Sequence, residues 1–405
     1  MTDPKILNRE RVLIFISNLV GYSGDVINEV QLAKNLCKEL SCLILGFVSV
    51  SKLTLLRRFI ADLRRDKRMR NSIILPLPIL RPYTVTLLLA SVLLAPIILF
   101  IDKLRPYKFI YVRSSILASA LMLIPSLARK TCVKIPAIFE DEVKSLERTL
   151  YSFIYKLADR LVFSRAGCIC VLSPLLLREL ALRRGLSPKG KVVWVPAGID
   201  REKVDAIRNQ IQRHGGICGK YIIGFMGSLV WWQGADILVY ATAKLKDLLD
   251  KPVKLLIVGD GPERRKIENL CKGLEVNCRI TGFVKHEEAL RILKKFDILV
   301  VPRRRISSTE SVIPIKVVEA WALGIPVITT MHEIYNYIGL INGRDIVFCE
   351  PTPNDVADKI LMVLKDKELG RRLSERGPEL AKNYYYDEIV RNLIRQVEYS
   401  RRDEW

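Results

Sequence analysis

The sequence predicts an α/β fold with two doubly wound domains, each a parallel sheet covered by helices on both faces. Short apolar runs alternate with longer amphipathic stretches along the whole chain of 405 residues. Runs that are apolar throughout are typical of parallel strands, because both faces of such strands are buried. A polar stretch with several glycines, at 201–219, divides the series in two and is typical of a linker between domains.

The predicted elements follow the chain in order. Six runs in the first half are predicted strands, at 11–16, 42–48, 107–112, 134–139, 168–172 and 191–195. Five more follow in the second half, at 221–226, 253–258, 277–281, 297–301 and 325–329. Helical patterns lie between them, such as those at 26–40 and 234–250. The predicted domains are 1–200 and 220–382, and 383–405 is expected to be a helix that returns to the first domain.

The composition limits the classes to which the protein can belong. Half of the residues are hydrophobic and 27% are charged, which excludes a disordered chain. The formal net charge of +22 indicates an anionic partner: nucleic acid, lipid headgroups or phosphorylated small molecules. The densest basic run, 52–70, alternates mainly with Leu and Ile rather than with aromatic residues, which favours lipid. We therefore expect no nucleic-acid partner.

Glycines end two predicted strands of the second half. Gly227 follows 221–226, and Gly259 and Gly261 follow 253–258. Ligands of doubly wound domains bind at the carboxyl ends of the strands, where a glycine lets the backbone approach a phosphate closely. Each turn alone carries little weight, because such turns also occur for purely steric reasons.

A short helix is predicted within 309–328, TESVIPIKVVEAWALGIPVI. Pro314 stands near its start and Gly324 just after its end, as helix termini prefer. Glu319 lies one turn in, where a carboxylate can accept hydrogen bonds from both hydroxyls of a ribose while the helix N-terminus receives a diphosphate. The alternative is a surface glutamate that stabilises the helix dipole.

Five segments of the second half occur in a set order: GxL…GxDxL, VGDGP, TGFV, FDILVVP and PxKxxEAxAxGxPV. Over about residues 190–380 they resemble the retaining, family 4 type of glycosyltransferase (glycosyl transferases group 1), which has the glycosyltransferase B fold. The first half is similar more loosely, through RVLIFISNLVGYSGDVINEVQLAKNL and VVWVPAGID. The resemblance implies transfer of a sugar from a nucleotide-diphosphate sugar to a lipid-linked or saccharide acceptor, with retention of configuration and without a cofactor or metal.

The resemblance also implies roles for individual residues. The residues implied to bind the donor are Gly227, Ser228, Gln233, Gly259, Gly261, Phe283, Val284, Arg303, Ile315, Val317 and Glu319. Of these, Phe283 and Val284 are implied to lie beside the base, and Ile315 and Val317 to contact phosphate at the start of the helix. The residues implied to act in catalysis are Glu310, Ser311 and Lys316. The residues implied to face the acceptor are Gly21, Gly24, Arg113, Glu140 and Asp141.

The charge expected around the donor diphosphate is altered in this chain. Ser228 and Gln233 stand where many family members have an Arg and a Lys that neutralise the diphosphate. We expect the basic triplet Arg303-Arg304-Arg305, together with Lys316, to supply the missing charge. A solvated basic loop is the alternative for the triplet.

Two acidic positions also depart from the family pattern. Members have paired glutamates with seven residues between them, whereas Glu310 and Glu319 have eight, and the usual spacing falls on Ser311. Many members have a His-Asp pair after a strand of the first domain. Here the predicted strand 134–139 is followed by 140–142, Glu-Asp-Glu, which contains no histidine.

Two segments of the first half indicate contact with a membrane. The run 52–70 has eight basic and two acidic residues and forms an amphipathic helix, either on anionic lipid or as an ordinary crossover helix. The run 84–101 has no charge over a length close to the roughly 20 residues that span a bilayer. A span would separate two strands of one sheet, and Pro96 is expected to interrupt the helix.

We therefore expect 84–101 to dip into the cytoplasmic leaflet, with a buried crossover helix as the alternative. The N-terminal residues show no signal-peptide pattern. The protein is accordingly expected at the cytoplasmic face of the cell membrane. Two other functions share the expected fold and stay open: a nucleotide-sugar epimerase, and a degenerate protein that binds the nucleotide sugar without turnover.

Overall fold

The computed structural model describes residues 10–17, 19, 24–49, 52–80, 83–135, 148–210, 219–246 and 248–402. The chain forms two compact units. The first combines Met1–Pro196 with Tyr386–Trp405, and the second is Ala197–Tyr385. Each is built on one parallel sheet with helices, so the predicted α/β fold class is confirmed.

A seven-stranded parallel sheet forms the centre of the first unit. Its strands are β1 (Arg11–Ile16), β2 (Ser41–Ser49), β3 (Ser72–Ile79), β4 (Phe109–Arg113), β5 (Thr131–Ile135), β6 (Cys168–Val171) and β7 (Lys191–Trp194). They lie in the order β3-β2-β1-β4-β5-β6-β7. The strand order therefore reverses between β1 and β4, the place where open α/β sheets form a ligand crevice.

Helices cover both faces of this sheet. In chain order they are α1 (Gly24–Glu39), α2 (Leu53–Arg65), α3 (Tyr83–Leu104), α4 (Ser115–Ala118), α5 (Pro125–Ala128), α6 (Arg148–Arg165) and α7 (Pro174–Arg184). Leu87 of α3 shares one core layer with Leu13 of β1. Leu63 of α2 shares the other layer with Val12. Because neighbouring strand residues point to opposite faces, the basic helix α2 and the apolar helix α3 lie on opposite sides of the sheet.

The second unit has a six-stranded parallel sheet. Its strands are β8 (Tyr221–Met226), β9 (Val253–Val258), β10 (Cys278–Ile280), β11 (Ile298–Val301), β12 (Val327–Thr330) and β13 (Val347–Cys349). The order is β10-β9-β8-β11-β12-β13, so the reversal falls between β8 and β11.

The helices of the second unit precede and alternate with these strands. They are α8 (Arg201–Gln210), α9 (Ala235–Lys244), α10 (Arg264–Gly273), α11 (His286–Leu293), α12 (Ser307–Glu310), α13 (Ile315–Ala322), α14 (Glu333–Tyr337), α15 (Pro353–Lys365) and α16 (Lys367–Ala381). The last helix, α17 (Tyr386–Arg402), belongs to the first unit, where Val390 and Leu393 are buried in the same core layer as α1.

The stretch 201–219 is not simply a linker, and that prediction is corrected. Its first half is α8, which belongs to the second unit and packs against α11. Val204 and Ile207 are buried because they lie three residues apart, on one face of that helix. The polar sequence that suggested a linker begins only after these residues.

Two strands lack a counterpart in the sequence prediction. In β3 the sequence SIILPLPI contains Pro76 and Pro78, which argue against a strand in the middle of a sheet. The strand lies at the sheet edge, where proline is tolerated. The three-residue β13 is too short to give a pattern. The predicted strand 134–139 is shifted, because β5 occupies Thr131–Ile135.

The expected interruption at Pro96 is wrong. The helix α3 runs without a break through Pro96, whose ring lies on the exposed face. Proline removes only one backbone hydrogen bond there, and the 22-residue helix retains the bonds on either side. Within the described part of the chain, α3 alone is long and apolar enough to cross a membrane, and 28% of its most apolar window is buried.

Candidate functional site

Two glycine turns end β8 and β9 beside the strand-order reversal of the second unit. Gly227 has a φ of +136°, and a Cβ on it would lie 2.3 Å from Nζ of Lys316. Gly259 has a φ of +148°, and a Cβ on it would lie 1.9 Å from the carbonyl oxygen of Gly227. Only glycine permits these approaches, so the turns bring backbone close to the Lys316 ammonium group.

Lys316 is a buried cation at the start of α13. Its Nζ donates a hydrogen bond to Oε1 of Gln233 at 2.9 Å, and no other polar partner is recorded for it within the described residues. Burial, assisted by the charge of Arg303, lowers the pKa of Lys316 to about 7. An anion that binds beside this buried ammonium group stabilises its charged form.

Arg303 is a second buried cation and follows β11 directly. Its Nε and Nη1 atoms are buried and have no hydrogen-bond partner among the residues that the structure describes. Burial lowers the pKa of its guanidinium group. A buried charge without a carboxylate partner is costly, so the pair formed by Arg303 and Lys316 has the properties of an anion-binding site.

The other two arginines of the triplet are already neutralised. Arg304 forms a bidentate ion pair with Asp236 of α9, at 2.9 and 2.7 Å. Arg305 pairs in the same way with Glu350, at 2.7 and 2.8 Å. The expectation that the whole triplet supplies charge to a ligand is therefore corrected: of the three, Arg303 alone lacks a carboxylate partner within the described residues.

The carboxylate of Glu310 is held by neighbours on the chain segment after β12. Its Oε1 lies 3.1 Å from Nδ1 of His332, and its Oε2 accepts a hydrogen bond from the backbone N–H of Glu333 at 2.8 Å. Burial lowers the pKa of His332. Glu310 therefore acts as a cap at the start of α14, and the buried Ser311 follows it.

Glu319 lies one turn after Lys316, on the same side of α13, and only 3% of it is exposed. Its Oε1 is 2.5 Å from Nε2 of His286, the first residue of α11. The sequence prediction did not include His286. Its only signal was its place in the chain, two residues after the predicted base-binding pair Phe283 and Val284.

Four of the remaining predicted donor residues divide into two groups. Phe283 is 67% exposed at the carboxyl end of β10, and Val284 and Ile315 are half-buried. Val317 is fully buried, and its backbone N–H donates to the carbonyl oxygen of Pro314. This bond closes the first turn of α13, and the phosphate contact implied for Val317 stays a prediction.

The first unit also buries charge at its strand-order reversal. Nε of Arg113, the last residue of β4, lies 3.4 Å from Oε1 of Glu29. Nζ of Lys134 lies 3.1 Å from the same oxygen, and the Tyr111 hydroxyl donates to Oε2 of Glu29 at 3.3 Å. Both cations thus have a carboxylate of the protein beside them. Gly24 starts α1, whereas Gly21, Glu140 and Asp141 lie outside the described residues.

Comparison with known sequences gives the second unit a family. Residues 207–380 match the family described as Glycosyl transferases group 1. The second unit therefore carries a glycosyl transferases group 1 domain. An uncharacterized glycosyltransferase of Methanocaldococcus jannaschii is 32% identical over 183 residues, which cover 44% of this chain and 49% of that protein.

A second relative shows the same partial coverage. The lipopolysaccharide core biosynthesis glycosyltransferase LpsE of Rhizobium meliloti is 24% identical over 220 residues, 54% of this chain and 58% of that protein. The chain thus spans about half the length of these curated relatives.

Comparison of structures extends to nearly the whole chain. The Anabaena protein HepE, solved in complex with UDP, superposes with a TM-score of 0.67 at 14% identity and covers 96% of this chain and 100% of its own. At this identity the similarity shows the fold alone. It confirms that the two units together have the glycosyltransferase B fold.

Proposed function

We propose that the protein transfers a sugar from a nucleotide-diphosphate sugar to an acceptor carried by a membrane lipid, with retention of configuration. The observation that carries the donor half of this proposal is the pair of buried cations, Arg303 and Lys316, at the reversal between β8 and β11 of a glycosyltransferase domain. Such a pair suits the diphosphate of the donor, and the similar protein HepE was solved with UDP.

The same pair supports the chemistry of the transfer. The bond between the anomeric carbon and the diphosphate oxygen breaks, and the acceptor oxygen bonds to that carbon on the same face. The acceptor proton passes to the departing diphosphate. Negative charge grows on the leaving group, and Arg303 and Lys316 are fixed beside it in a buried environment, where electrostatic stabilisation is strongest. In this proposal, these cations supply the charge that a divalent metal supplies in other enzymes.

Other residues of the second unit would bind the nucleoside half of the donor. Glu319 is placed to accept hydrogen bonds from the ribose, and exposed Phe283 offers an apolar surface to the base. A protein that binds the donor without turnover remains the alternative, and it is favoured by Ser311 at the position where family members have a glutamate.

A thermal-shift panel tests the donor half of the proposal. Nucleoside diphosphates and nucleotide sugars should raise the melting temperature, because a ligand that binds only the native state stabilises it. Replacement of both Arg303 and Lys316 by Met should abolish this shift. The matched control replaces the exposed Arg265 and Lys272 of α10 by Met and should leave the shift intact. If no nucleotide in the panel stabilises the protein, the proposal fails. Release of nucleoside diphosphate only when an acceptor is added separates a transferase from a binding protein, and conversion of the free nucleotide sugar would indicate an epimerase.

The membrane half of the proposal rests on the outer face of α3. Large apolar side chains point outward along this helix, among them Leu89, Leu93, which is 69% exposed, and Phe100, which is 64% exposed. The side that faces the core carries the apolar Leu87 and Ile98 together with small or polar residues such as Ser91 and Asp102. A helix on the surface of a soluble protein usually exposes polar residues, so the apolar outer face of α3 suits a lipid environment.

The elements next to α3 supply a matching surface. The edge strand β3 exposes apolar Ile73 and Leu75, and α2 beyond it exposes Arg57, Arg64 and Arg65. These three successive elements form one edge of the first unit. Basic residues attract anionic headgroups, and apolar side chains enter the region below them. We therefore place α3 in the plane of the membrane, since a spanning α3 would draw the sheet packed along it into the hydrocarbon layer.

Flotation with anionic liposomes tests this surface. Leu89→Asn with Leu93→Asn should abolish the fraction that stays bound at high salt, because apolar burial is not screened. The replacement of Arg57, Arg64 and Arg65 by Glu should remove the salt-sensitive fraction, with each charge contributing about 1 kcal/mol.

Matched controls lie away from this edge of the sheet. Leu182→Asn on α7 replaces a leucine that is equally exposed, and Arg265, Lys272 and Lys295 are exposed basic residues of the second unit. Their substitution should leave flotation unchanged. Binding that survives both sets of substitutions at the α2–α3 edge would refute this surface. A lower melting temperature of the Asn variant would show that these leucines are buried in the folded protein.

A further inference from the structure

We infer that His286 positions the carboxylate of Glu319 for the ribose of the donor nucleotide. The inference rests on the proposed function, since it concerns the site that would hold the nucleoside. It adds a residue that neither the sequence motifs nor the family resemblance assigned. His286 does not contact the reacting atoms in this account, so it is a positioning residue.

The first observation is the hydrogen bonding of the buried Glu319 carboxylate. Its side chain is 3% exposed, and the described residues place no lysine or arginine within 4.0 Å of its carboxylate. Within the described residues, its hydrogen-bond partner is His286, whose Nε2 lies 2.5 Å from Oε1. A buried carboxylate requires a hydrogen-bond donor, so this contact fixes the orientation of the group. No hydrogen bond is recorded for Oε2 among the described residues, which leaves it for a ribose hydroxyl.

The second observation is the rigidity of the element that carries His286. It is the first residue of α11, a helix anchored in the core by Leu290 and Leu293. The chain enters this helix through Gly282, with a φ of +71°, and through exposed Phe283. One short segment thus connects Phe283, the predicted base contact, to His286, which contacts the ribose carboxylate. A base bound at Phe283 would therefore affect the position of His286.

The charged groups around His286 come from two other elements. Glu319 faces it from α13, while Asp200 and Lys203 face it from the start of α8. Burial lowers the pKa of His286, but the hydrogen bond and charge of Glu319 outweigh burial, and the pKa is raised overall. Below that pKa the imidazolium neutralises Glu319 and holds it firmly. Above that pKa the contact becomes a weaker, neutral hydrogen bond.

The test compares two ligands that differ only in the ribose hydroxyls. Calorimetry measures the affinity for the ribonucleoside diphosphate that stabilises the protein most in the thermal-shift panel, and for its 2′,3′-dideoxy analogue. The ratio of the two affinities isolates the contribution of the hydroxyls, because any effect of the diphosphate cations cancels. In the wild type we expect a ratio of about tenfold or more, falling several-fold as the pH rises through the pKa of His286.

Three variants define the result. His286→Ala should bring the ratio close to one while leaving the affinity for the dideoxy analogue unchanged. His286→Gln keeps an N–H donor, so it should retain most of the ratio but lose its pH dependence. Glu287→Ala, at the exposed neighbouring position of α11, should behave as wild type.

Each outcome decides between the positioning role and its failure. Equal weakening of both ligands by His286→Ala would show a merely structural role and overturn the inference, as would an unchanged ratio. If His286→Ala does not fold, the pH profile of the ratio in the wild type and in His286→Gln decides. Failure of every nucleoside diphosphate to bind the wild type would instead refute the proposed function.

Discussion

The two units bury a pair of cations at the same place in their topology, and they treat the charge in opposite ways. In the first unit, Arg113 and Lys134 at the carboxyl ends of β4 and β5 share the buried carboxylate of Glu29. In the second unit, Arg303 and Lys316 have no carboxylate within 4.0 Å among the described residues, and Glu310 and Glu319 act on them only from a longer distance. A buried charge that the protein itself balances contributes to the fold. A buried charge that it leaves unbalanced costs stability and points to an anionic ligand.

Breaking the balance of the first unit should have the largest effect. Glu29→Gln keeps the shape of the side chain but removes the buried carboxylate that Arg113 and Lys134 share. Removal of one partner from a buried ion pair costs about 3–5 kcal/mol, so the free energy of unfolding should fall by about that amount. Denaturant titration measures it, with the exposed Glu287→Gln as the control. A loss below about 1 kcal/mol would show that Glu29 is not what balances this cluster.

The corresponding change in the second unit should act on binding instead. Arg303→Met and Lys316→Met replace an unbalanced charge by an apolar chain of similar length. Hydrogen bonds to charged groups contribute about 1.5–3 kcal/mol, so each variant should bind a nucleoside diphosphate roughly 10- to 100-fold more weakly. The free energy of unfolding of the unliganded protein should stay the same or rise. A large loss of stability would mean that the cations of both units play the same structural role.

The protonation state of Lys316 makes both the stability and the ligand affinity of the second unit depend on pH. Its pKa in the folded protein is about 7, below the ordinary 10.5, so the unliganded fold gains stability as the pH rises from about 7 towards that value. A bound diphosphate favours the charged form. Binding at about pH 8 should therefore take up a fraction of a proton, and affinity should fall as the pH rises. Calorimetry in buffers of different ionisation enthalpy measures the uptake, which Lys316→Met should abolish.

The smallest effect is expected from metal removal. If Arg303 and Lys316 supply the positive charge around the leaving diphosphate, excess chelator should leave the rate of transfer nearly unchanged. A rate that chelator abolishes and magnesium or manganese restores would show that these two cations are not sufficient.

The sequence signals for the expected donor residues are local. Gly227, Gly259 and the PxKxxE segment are each read from a few neighbouring residues, and the structure places Gly227 beside Lys316. The ion pairing of Arg304 and Arg305 depends on Asp236 and Glu350, which are distant in the sequence. No local pattern therefore distinguishes Arg303 from its two neighbours. His286 escaped prediction for the same reason, since its partner Glu319 is 33 residues away.

The first unit shows where local patterns mislead. Pro76, Pro78 and Pro96 all suggest interruptions, yet β3 and α3 form. An edge position tolerates prolines in a strand, and a long helix tolerates the loss of one hydrogen bond. The opposite placement of α2 and α3 on the sheet follows from the topology and not from either segment by itself.

One measurement tests the central claim most directly: the thermal unfolding midpoint of the wild type and of the double variant Arg303→Met with Lys316→Met, each with and without a nucleoside diphosphate. We predict that the ligand raises the midpoint of the wild type, whereas the unliganded double variant melts no lower than the wild type and gains nothing from the ligand. A double variant that the ligand stabilises as strongly as the wild type, or that melts well below it when unliganded, would contradict the claim that this cation pair binds the donor diphosphate.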